Sequence, residues 1–442
     1  MAKKACSTCR HYHTEGFDVM KGWCYHDECK RVNYHPHQGG RAHMKPPLIF
    51  GADRHLRPTS RYDFYEFFAG GGMARAGLGN HWRCLFANDF DLKKARIYAQ
   101  NWGTDALMAE DIKALSTADI PGVAHLAWGS FPCQDLSLAG GGAGLQGDRS
   151  GTFWPFWRLM TGLIAERRAP GLIVLENVCG ALTSHAGQDF AAIGAAFHDA
   201  GYRFGALVAD AALFVPQSRP RLFIVGARAD LPLPDSLTAS CPAAPWHTRA
   251  LCVAQASLPA PVKASWLWWR LPLPSARQVR LIDQLEDRPP CVPWHTPAQT
   301  QRLLDMMSDI NRQKVAQAQQ EATKMVGCIY KRTRRDAFGR KAQRAEVRFD
   351  DLAGCLRTPA GGSSRQVLLI VDGADVRSRL ISSRETARLM GLPDDYRLPD
   401  NYNEAYHLTG DGVVVPVVRH LAEHLFEPIL DQAALSGARA AA

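Results

Sequence analysis

The feature that most constrains the fold is a regular alternation of short apolar runs with helix-like stretches, beginning at Tyr62. The candidate strands lie at 62–68, 83–88, 123–128, 171–176, 203–208 and 221–226. Helical patterns lie between them, at about 91–101, 153–168 and 187–200. Short strands separated by helices are typical of βαβ units and a mainly parallel sheet. We therefore predict an α/β fold that binds its ligands at the carboxyl ends of the strands.

Composition divides the 442 residues into four regions. Residues 1–60 are rich in Cys and His, and 61–227 hold the alternating pattern. Pro-rich stretches interrupt the pattern in 228–352, and βα character returns in 353–442. The returning elements are predicted as a strand at 367–371 and helices near 383–390 and 416–429. We therefore expect a core at 61–227 that is completed by the C-terminal region, with a smaller domain between them.

The formal net charge of +9 favours a polyanionic partner, although many soluble proteins are also basic. Residues 1–10 are polar, and no run of about 18 apolar residues occurs, so we expect neither a cleavable signal nor a membrane span. The 12 cysteines are then expected to be reduced thiols in a cytoplasmic protein. Each cysteine in a loop or cluster is therefore a candidate for reaction or metal binding.

A glycine-rich turn, FFAGGG at 67–72, ends the first predicted strand and opens a helix. Glycines there let the backbone approach a cofactor, and an acid at the end of the second strand can bind a ribose. Asp89 stands at that second strand end, Asp111 lies near the end of the third, and Phe68 can stack on an adenine. The GxGxxG pattern of nicotinamide enzymes is not met. The alternative is a turn that only permits tight packing between strand and helix.

Cys133 follows Pro132 at the end of the strand predicted at 123–128, and six glycines lie between 140 and 151. A thiol there lies at the ligand edge of the sheet, next to a loop that can close over a substrate. A thiolate nucleophile would need its pKa lowered, or its proton removed, by its surroundings. The alternative is a small buried cysteine, which is the usual state of a single Cys.

Glu176 ends the next predicted strand, where partial burial can raise the pKa of a carboxyl and make it an acid toward a ring nitrogen. Its alternative is a charge at a helix N-terminus.

Arg219 and Arg221 alternate with Pro220, so both point the same way if the segment is extended. Two guanidinium groups suit phosphate or carbonyl oxygens, and the alternative is a pair of surface arginines.

Taken together and in order, these segments resemble the C5-cytosine-specific DNA methyltransferase family over roughly 62–226 and 352–430. The motifs that carry the resemblance are FFAGGG, Pro132-Cys133-Gln134, Glu176-Asn177-Val178, Gln217-x-Arg219-x-Arg221, LRTPAGGSSRQ at 356–366, and RETARLMGLPDDY at 384–396 with GDGVVVP at 410–416. The resemblance implies a Rossmann-like class I methyltransferase sheet with helices on both faces. It also implies S-adenosylmethionine as the cofactor and double-stranded DNA as the substrate.

The same resemblance assigns roles to the residues. Cys133 would add to C6 of cytosine, Glu176 would contact N3 and the exocyclic amine, Arg221 would hold the O2 carbonyl, and Arg219 would orient the loop. The implied cofactor residues are Phe68, Ala69, Gly70, Gly72, Asp89, Phe90, Asp111, Pro132, Asp411 and Val413. The target base would be flipped out of the duplex. Gln134, Ser137 and Arg149 would then contact the DNA.

Two positions depart from the family pattern. The family usually has Gly-Asn where this chain has Gly410-Asp411, and commonly two glycines where Gly72-Met73 stands. Both changes touch the cofactor pocket rather than the nucleophile.

The resemblance places target choice in 228–352. Seven of the fourteen residues in 331–344 are Lys or Arg, and we predict DNA backbone contacts from Lys331, Arg332, Arg334 and Arg335. The alternative is a solvated, partly disordered loop. The tryptophans at 266–269 are expected to be core rather than a platform for bases.

Cys6, Cys9, Cys24 and Cys29 have a spacing compatible with a tetrahedral Zn²⁺ site. Zinc would order a segment that has little apolar content, whereas the alternative is free thiols in a flexible arm.

The leading hypothesis is a bacterial or phage-borne, monomeric DNA cytosine-C5 methyltransferase, with a restriction enzyme as a candidate companion. One alternative is an RNA cytosine methyltransferase of the tRNA type. That branch carries a Cys-Phe-Thr signature, which is absent from the region between the motifs here. Another alternative is a DNA-binding regulator on an inactive scaffold, which the presence of Cys133, Glu176 and Arg221 argues against.

Overall fold

The computed structural model divides the chain into two units, Met1–Arg54 and His55–Ala442. The residues that it describes are 60–132, 152–335, 339–357 and 365–441, together with the strand residues 17–18 and 23–24. In the first unit, β1 (Phe17–Asp18) and β2 (Trp23–Cys24) pair antiparallel. The second unit contains the two larger sheets.

The larger sheet has seven strands. They are β3 Tyr62–Phe67, β4 Trp82–Asn88, β5 Leu107–Met108, β6 Leu126–Gly129, β7 Leu172–Asn177, β8 Tyr202–Asp210 and β9 Pro220–Arg228. Their order is β5-β4-β3-β6-β7-β9-β8, and only β9 runs against its neighbours. The predicted, mainly parallel α/β sheet is therefore confirmed. The short β5 was not predicted as a strand, because two residues are too few to show a period.

Helices cover both faces of this sheet. The first four are α1 Met73–Leu78, α2 Leu92–Trp102, α3 Phe153–Ala165 and α4 Gln188–Asp199. Phe64 belongs to the apolar cluster on one face and Tyr65 to the cluster on the other, as the alternation of strand side chains requires. The central strand β7 is buried along its whole length, which explains its continuous apolar run.

A second, antiparallel sheet has the order β13-β12-β14-β15. Its strands are β12 Met325–Arg335, β13 Lys341–Arg348, β14 Val367–Asp372 and β15 Asp375–Leu380, and a small pair is formed by β10 Thr238–Ala239 and β11 Trp268–Trp269. The helices of this region are α5 Arg249–Ala256, α6 Ala260–Ala264, α7 Pro297–Asp305 and α8 Asp309–Gln320. The sheet thus takes two strands from before residue 352 and two from after it.

The stretch Pro297–Gln320, which is rich in Gln, Ala, Met and Leu, forms two helices rather than one. Ser308 adopts an extended conformation and ends the helical path between α7 and α8. Gln, Ala, Met and Leu favour a helix on both sides of this break, so composition alone does not reveal it.

The C-terminal region returns to the larger sheet. Its helices are α9 Ser383–Leu389, α10 Tyr402–Asp411, α11 Val415–Leu421 and α12 Glu427–Ala441, with a π-helical turn at Ala422–Phe426. A Cβ atom on Gly77 of α1 would lie 2.4 Å from Cβ of Val418 on α11, so the two helices approach as closely as a glycine allows. Residues far apart in the chain therefore pack beside the glycine-rich turn.

The tryptophan cluster is core, as predicted. Trp269 is fully buried and its indole N–H donates to the Val225 carbonyl at 3.1 Å. The Trp266 ring packs edge-on against Phe204 of β8. Trp266 and Trp268 are half-buried and pack against the core beside the outer strands of the sheet.

Candidate active site

Four of the predicted site residues lie along one edge of the larger sheet. Strands β3, β4, β6 and β7 are parallel, so their carboxyl ends lie along the same edge. Phe68 follows β3, Asp89 follows β4, Pro132 follows β6, and Glu176 stands near the end of β7. This edge is where a sheet of this kind binds ligands.

The glycine-rich turn after β3 has a left-handed backbone at three positions. Phe68, Gly70 and Gly72 have φ angles of 57°, 56° and 76°. Left-handed φ is costly for a side chain such as that of Phe68, so this conformation is held by its surroundings. The Gly71 carbonyl accepts hydrogen bonds from Trp102 Nε1 at 2.9 Å and from the Tyr396 hydroxyl at 2.7 Å.

Asp89 closes this turn. Its Oδ2 accepts the main-chain N–H of Gly70 at 2.8 Å, and its Oδ1 accepts that of Asp91 at 2.9 Å. Burial raises the pKa of Asp89, and the charge of Lys94 and these two hydrogen bonds oppose the rise. The ring of Phe90 beside it is 67% exposed, which is unusual for a large apolar side chain.

Asp111 is not joined to this turn by hydrogen bonds among the described residues. Its carboxylate is exposed and accepts the main-chain N–H of Lys113 at 2.9 Å. The strand end before it is instead anchored by Asn88, whose amide donates to the carbonyls of Met108 and Glu110.

Asp411, which stands where the family usually has Asn, is paired with Lys94. The Lys94 Nζ lies 2.7 Å from Asp411 Oδ2, and Lys94 also faces Asp89 electrostatically. Burial lowers the pKa of Lys94, but Asp411 and Asp89 together raise it. Lys94 was missed from the sequence because a helical lysine gives no signal of its own. Val413, two residues after Asp411 in the sequence, is buried.

S-adenosylmethionine fits this arrangement. A Cβ atom on Gly70 would meet no heavy atom within 4 Å, so space is open in front of the turn. Asp89 presents carboxylate oxygens for ribose hydroxyls, and Phe90 presents a ring face for an adenine. The residues that would hold the cofactor at this edge are Phe68, Ala69, Gly70, Gly72, Asp89, Phe90 and Pro132, as the sequence predicts.

Glu176 and Arg221 form the polar centre of the edge. Arg221 Nε lies 3.2 Å from Glu176 Oε1, and both side chains are largely buried. Burial raises the pKa of Glu176, and the charges of Arg221 and Arg219 and a hydrogen bond from Ser130 oppose the rise. The carboxyl is thus placed to hold a proton above the pH at which a free Glu loses it, beside a cation that can bind a carbonyl oxygen.

The strand end that leads to the predicted nucleophile is tied to Glu176 by its neighbour. The Asn177 side-chain amide donates to the Phe131 carbonyl at 3.2 Å. Cys133 lies outside the described residues, as do Gln134, Ser137 and Arg149. Their predicted roles therefore stay predictions.

Arg219 acts as a brace rather than as a group open to a ligand. It is 2% exposed, and its guanidinium donates to the carbonyls of Leu356, Gly410 and Gly412 at 2.7–2.8 Å. Gln217 is also a brace, because its side-chain amide donates to the Leu389 carbonyl and accepts the main-chain N–H of Leu356. These contacts join the segment that leads into β9 to segments about 140 to 190 residues further along the chain.

Cys355 was not singled out from the sequence. Its sulfur lies 3.4 Å from Arg219 Nη1 and 3.9 Å from both terminal nitrogens of Arg221. The residue precedes the LRTPAGGSSRQ motif, and only its long-range contacts reveal it.

Glu66 was also missed, because it lies inside a strand run that reads as core. It is 1% exposed, and its carboxyl accepts the main-chain N–H of Arg75 at 3.2 Å and the Tyr98 hydroxyl at 3.4 Å. Burial raises its pKa from 4.5 to about 7, although the charge of Arg75 opposes the rise. Glu66 therefore stabilises the start of α1, which follows the glycine-rich turn, through Arg75 and Tyr98.

The basic segment at 331–344 forms a hairpin rather than a loop, with residues 336–338 outside the described part. β12 pairs with β14 only over Met325–Ile329, whereas it pairs with β13 from Cys328 to Arg335. The outer half of the hairpin is thus a two-stranded ribbon, and most of its basic side chains are exposed. A ribbon of this kind fits the major groove of DNA.

Neither a metal site nor a membrane span is found in the described part of the chain. No group of three or more His, Cys, Asp or Glu side chains there is placed to hold an ion. No helix there is long and apolar enough to cross a membrane. The side chains of Cys6, Cys9, Cys24 and Cys29 are not described, so the zinc prediction stays untested.

Comparison with known proteins agrees with the geometry. Residues 62–427 match the family model of the C-5 cytosine-specific DNA methylases. The type II methyltransferase M.Bsp6I of Bacillus sp. (strain RFL6) is 25% identical over 382 residues, covering 83% of this chain and 98% of the relative. The type II methyltransferase M.HhaI of Haemophilus parahaemolyticus is 22% identical over 364 residues, covering 82% and 93%.

Two solved structures share the fold. The S. pombe Dnmt2 methyltransferase has a TM-score of 0.53 at 16% identity, covering 84% of this chain and 99% of its own. The Entamoeba histolytica methyltransferase EhMeth has a TM-score of 0.56 at 13% identity, covering 83% and 98%. The ordered motifs, the polar edge and the match across 62–427 lead to one conclusion: the chain belongs to the C-5 cytosine-specific DNA methylase family and is a DNA methyltransferase that acts on cytosine C5.

Proposed function

We propose that this enzyme methylates cytosine within a specific duplex sequence, through a covalent adduct between Cys133 and C6 of a flipped-out base. The observation that carries the proposal is the buried pair of Glu176 and Arg221, 3.2 Å apart at the ligand edge of the sheet. The strand next to β7 leads directly into Pro132-Cys133. A thiol, an acid and a cation are the three groups that this chemistry requires.

C5 of cytosine is a poor nucleophile until C6 has been attacked. In the proposed reaction the Cys133 thiolate adds to C6 while Glu176 gives a proton to N3, so C5 becomes enamine-like and attacks an electrophilic methyl group. S-adenosylmethionine supplies that methyl group as a sulfonium when it is bound. Loss of the C5 proton to a base, release of the thiolate from C6 and return of the N3 proton restore the ring. The net exchange is one methyl group for one proton.

The other side chains position the base. Arg221 would hold the O2 carbonyl, because its guanidinium lies beside Glu176 and can reach the same ring. Arg219 would act through the loops that it braces, since its donors already bind carbonyls. The base must leave the helix to reach this edge, and Gln134 and the glycine-rich stretch at 140–151 would occupy the gap.

Duplex DNA is the proposed substrate, and the hairpin of β12 and β13 is its proposed backbone contact. We infer a bacterial or phage-borne enzyme paired with a restriction enzyme, because bacterial relatives are named type II methyltransferases. The monomeric state and the cytoplasmic location are proposals from the sequence. The basic ribbon supports DNA over an RNA substrate of the tRNA type. The close pairing of Glu176 and Arg221 supports an active enzyme over a regulator on an inactive scaffold.

The test is to trap the enzyme on duplex DNA that contains 5-fluorocytosine, since fluorine cannot leave as the C5 proton does. We expect a covalent adduct that depends on S-adenosylmethionine and maps to the peptide of Cys133. Cys133→Ala should abolish the adduct, whereas Cys241→Ala, which removes an exposed thiol, should leave it intact. An adduct that persists in Cys133→Ala, or that maps to Cys355, would reject the proposed nucleophile. Bisulfite sequencing of DNA from cells that express the enzyme would give the target sequence.

Zinc at Cys6, Cys9, Cys24 and Cys29 remains a proposal from spacing alone. Metal analysis of the purified full chain tests it, with Cys6→Ser and Cys9→Ser as matched variants. One equivalent of zinc that is lost in both variants is the expected result. A metal-free chain would reject the site.

A further inference from the structure

Two guanidinium groups converge on the sulfur of Cys355. Arg219 Nη1 lies 3.4 Å from it, and Arg221 approaches with both terminal nitrogens at 3.9 Å. Cys355 is partly buried, and Arg219 is almost wholly buried. A neutral thiol is only a weak hydrogen-bond acceptor, so two guanidinium groups directed at the sulfur favour the thiolate, although the thiol could donate to the Leu356 carbonyl at 3.5 Å.

Among the residues that the structure describes, the side-chain charges around this sulfur do not balance unless the sulfur is ionised. Arg221 has the carboxylate of Glu176 as its partner at 3.2 Å. Within the described part of the chain, the other acceptors of the Arg219 guanidinium are main-chain carbonyls, and its Nε has no acceptor there. Asp210 is close, but it accepts the main-chain N–H of Arg219 rather than the guanidinium. A buried cation requires a counterion.

We propose that Cys355 is a thiolate in the folded enzyme and that it fixes Arg221 beside Glu176, as a positioning residue for the reaction. This role in the reaction rests on the proposed function, whereas the ionisation of Cys355 does not. While Glu176 is ionised, the thiolate gives the set of Arg219, Arg221, Glu176 and Cys355 two cations and two anions. Arg221 is then held on one side through Nε by Glu176 and on the other through its terminal nitrogens by sulfur.

The electrostatics agree with the geometry. Burial opposes ionisation of Cys355, but the charges of Arg219 and Arg221 outweigh it and lower the pKa of the thiol. Arg357, two residues further on, acts in the same direction. Tyr406 of α10 also faces the sulfur, and burial raises its pKa to about 12, so it adds no charge at neutral pH.

Cys328 supplies the contrast within the second sheet. It is fully buried, and burial raises its pKa to about 12. Burial therefore suppresses ionisation in one thiol and is overcome in the other. The difference is the pair of guanidinium groups at Cys355.

The first experiment measures ionisation without reference to activity. The full chain is alkylated with iodoacetamide across a pH series, and the modified peptides are quantified by mass spectrometry. We expect Cys355 to react half-maximally at a lower pH than the exposed Cys241 in the same sample. Arg221→Gln should move the Cys355 midpoint upward and leave that of Cys241 in place.

If iodoacetamide does not reach the sulfur, the ultraviolet absorbance of the thiolate is measured instead, as the difference between wild type and Cys355→Ser. We expect this difference to be present already at neutral pH. A Cys355 midpoint at or above that of Cys241, a midpoint unaffected by Arg221→Gln, or an absorbance difference that appears only in alkaline solution would each overturn the inference.

The second experiment measures the positioning role. Cys355→Ser should lower kcat by about ten- to a hundredfold, the size expected for loss of a hydrogen bond to a charged group, with little change in KM for DNA. Cys355→Asp, which restores an anion, should recover part of kcat, and Cys252→Ser is the control for thiol loss elsewhere. Equal activity of Cys355→Ser and wild type would overturn the positioning role. If the wild-type enzyme shows no methyl transfer but Cys355 still has a low alkylation midpoint, the proposed function is rejected and the ionisation of Cys355 stands.

Discussion

Arg221 reaches Glu176 across two adjacent antiparallel strands, with Nε 3.2 Å from Oε1. Glu176 is paired in register with Phe223 of β9, so Arg221 stands two residues from the position directly opposite. A long arginine side chain spans that diagonal and remains on the same face of the sheet. The antiparallel strand β9 thus places the Arg221 guanidinium at the edge where the parallel strands carry Asp89 and Glu176.

Replacing Glu176 by Gln should remove the proton donor while keeping the shape of the side chain. We expect kcat to fall by about 100- to 10,000-fold, the usual contribution of general acid catalysis. Binding of DNA should change little, because Gln still contacts the exocyclic amine. Transfer of a labelled methyl group to DNA gives kcat, and the exposed Glu321→Gln is the matched control. Retention of wild-type kcat would contradict the role of Glu176.

The pH profile should report the same carboxyl. Burial raises the pKa of Glu176, so its protonated form persists above the ordinary range, and kcat should fall as pH rises through that raised pKa. Arg221 opposes the rise, so Arg221→Gln should raise the pKa further. We expect this variant to be slower but to keep its rate to a higher pH. An alkaline limb that stays in place or moves to lower pH would contradict the assignment.

Glu66 should make the stability of the fold depend on pH. Its pKa is 4.5 in an ordinary environment and about 7 in the folded protein, so the folded state binds more protons between these values. The stabilisation is complete below pH 4.5 and is lost as pH rises through 7. At about 1.4 kcal/mol for each pKa unit, the loss is on the order of 3 kcal/mol.

Glu66→Gln, which cannot ionise, should lose this dependence. Urea unfolding at pH 5 and pH 8 measures it, with Glu321→Gln as the exposed control. Equal pH dependence in wild type and Glu66→Gln would show that Glu66 is not the group responsible.

Asp411→Asn restores the usual family residue and removes the carboxylate that faces Lys94 at 2.7 Å. The pair is partly exposed, so its loss should lower the free energy of unfolding by no more than about 1 kcal/mol. Asp89 would then be the anion with the largest remaining effect on Lys94, and Lys94 would compete with the ribose for that carboxylate. We therefore expect weaker binding of S-adenosylmethionine, measured by calorimetry. Lys94→Gln in the same background should recover affinity, and unchanged affinity in both variants would contradict the coupling.

The two faces of the basic hairpin should contribute unequally to DNA binding. Glu346 pairs with Arg332 and Arg334 on one face, whereas Lys331 and Arg335 point to the other. Changing Lys331 and Arg335 to Gln should reduce the slope of log affinity against log salt by up to about 2, the value for two phosphate contacts. The Arg332 and Arg334 double variant should have a smaller effect.

The control for the hairpin removes two exposed cations elsewhere, Arg249 of α5 and Lys263 of α6. Their helices pack against β8 and α4, on the larger sheet. A salt slope reduced as much by this control as by the Lys331 and Arg335 variant would show that net charge, rather than the hairpin, determines binding.

Much of the larger sheet could be predicted because its signal is local. The apolar run at 171–176 and the helical period at 187–200 match β7 and α4 to within one residue at each end. The second sheet could not be predicted in the same way. β13 consists mostly of polar and basic residues, since its outer half is exposed on both faces, so it carries no apolar alternation to read.

The sequence by itself determined the order of the motifs and the edge at which they meet. Strand and helix periods are set by neighbouring residues, and parallel strands bring their carboxyl ends together whatever else the chain does. The assignments of Asp89 and Glu176 to that edge follow from this alone.

Only the tertiary structure decided which groups pair there. Arg219 binds the carbonyls of Gly410 and Gly412, about 190 residues away, and Cys355 lies between the guanidinium groups of Arg219 and Arg221. Such pairs depend on how distant segments pack and on where buried charges find counterions, and no local period encodes either of these. Proximity in the fold therefore turns an unremarkable cysteine into a candidate for the anion that fixes the site.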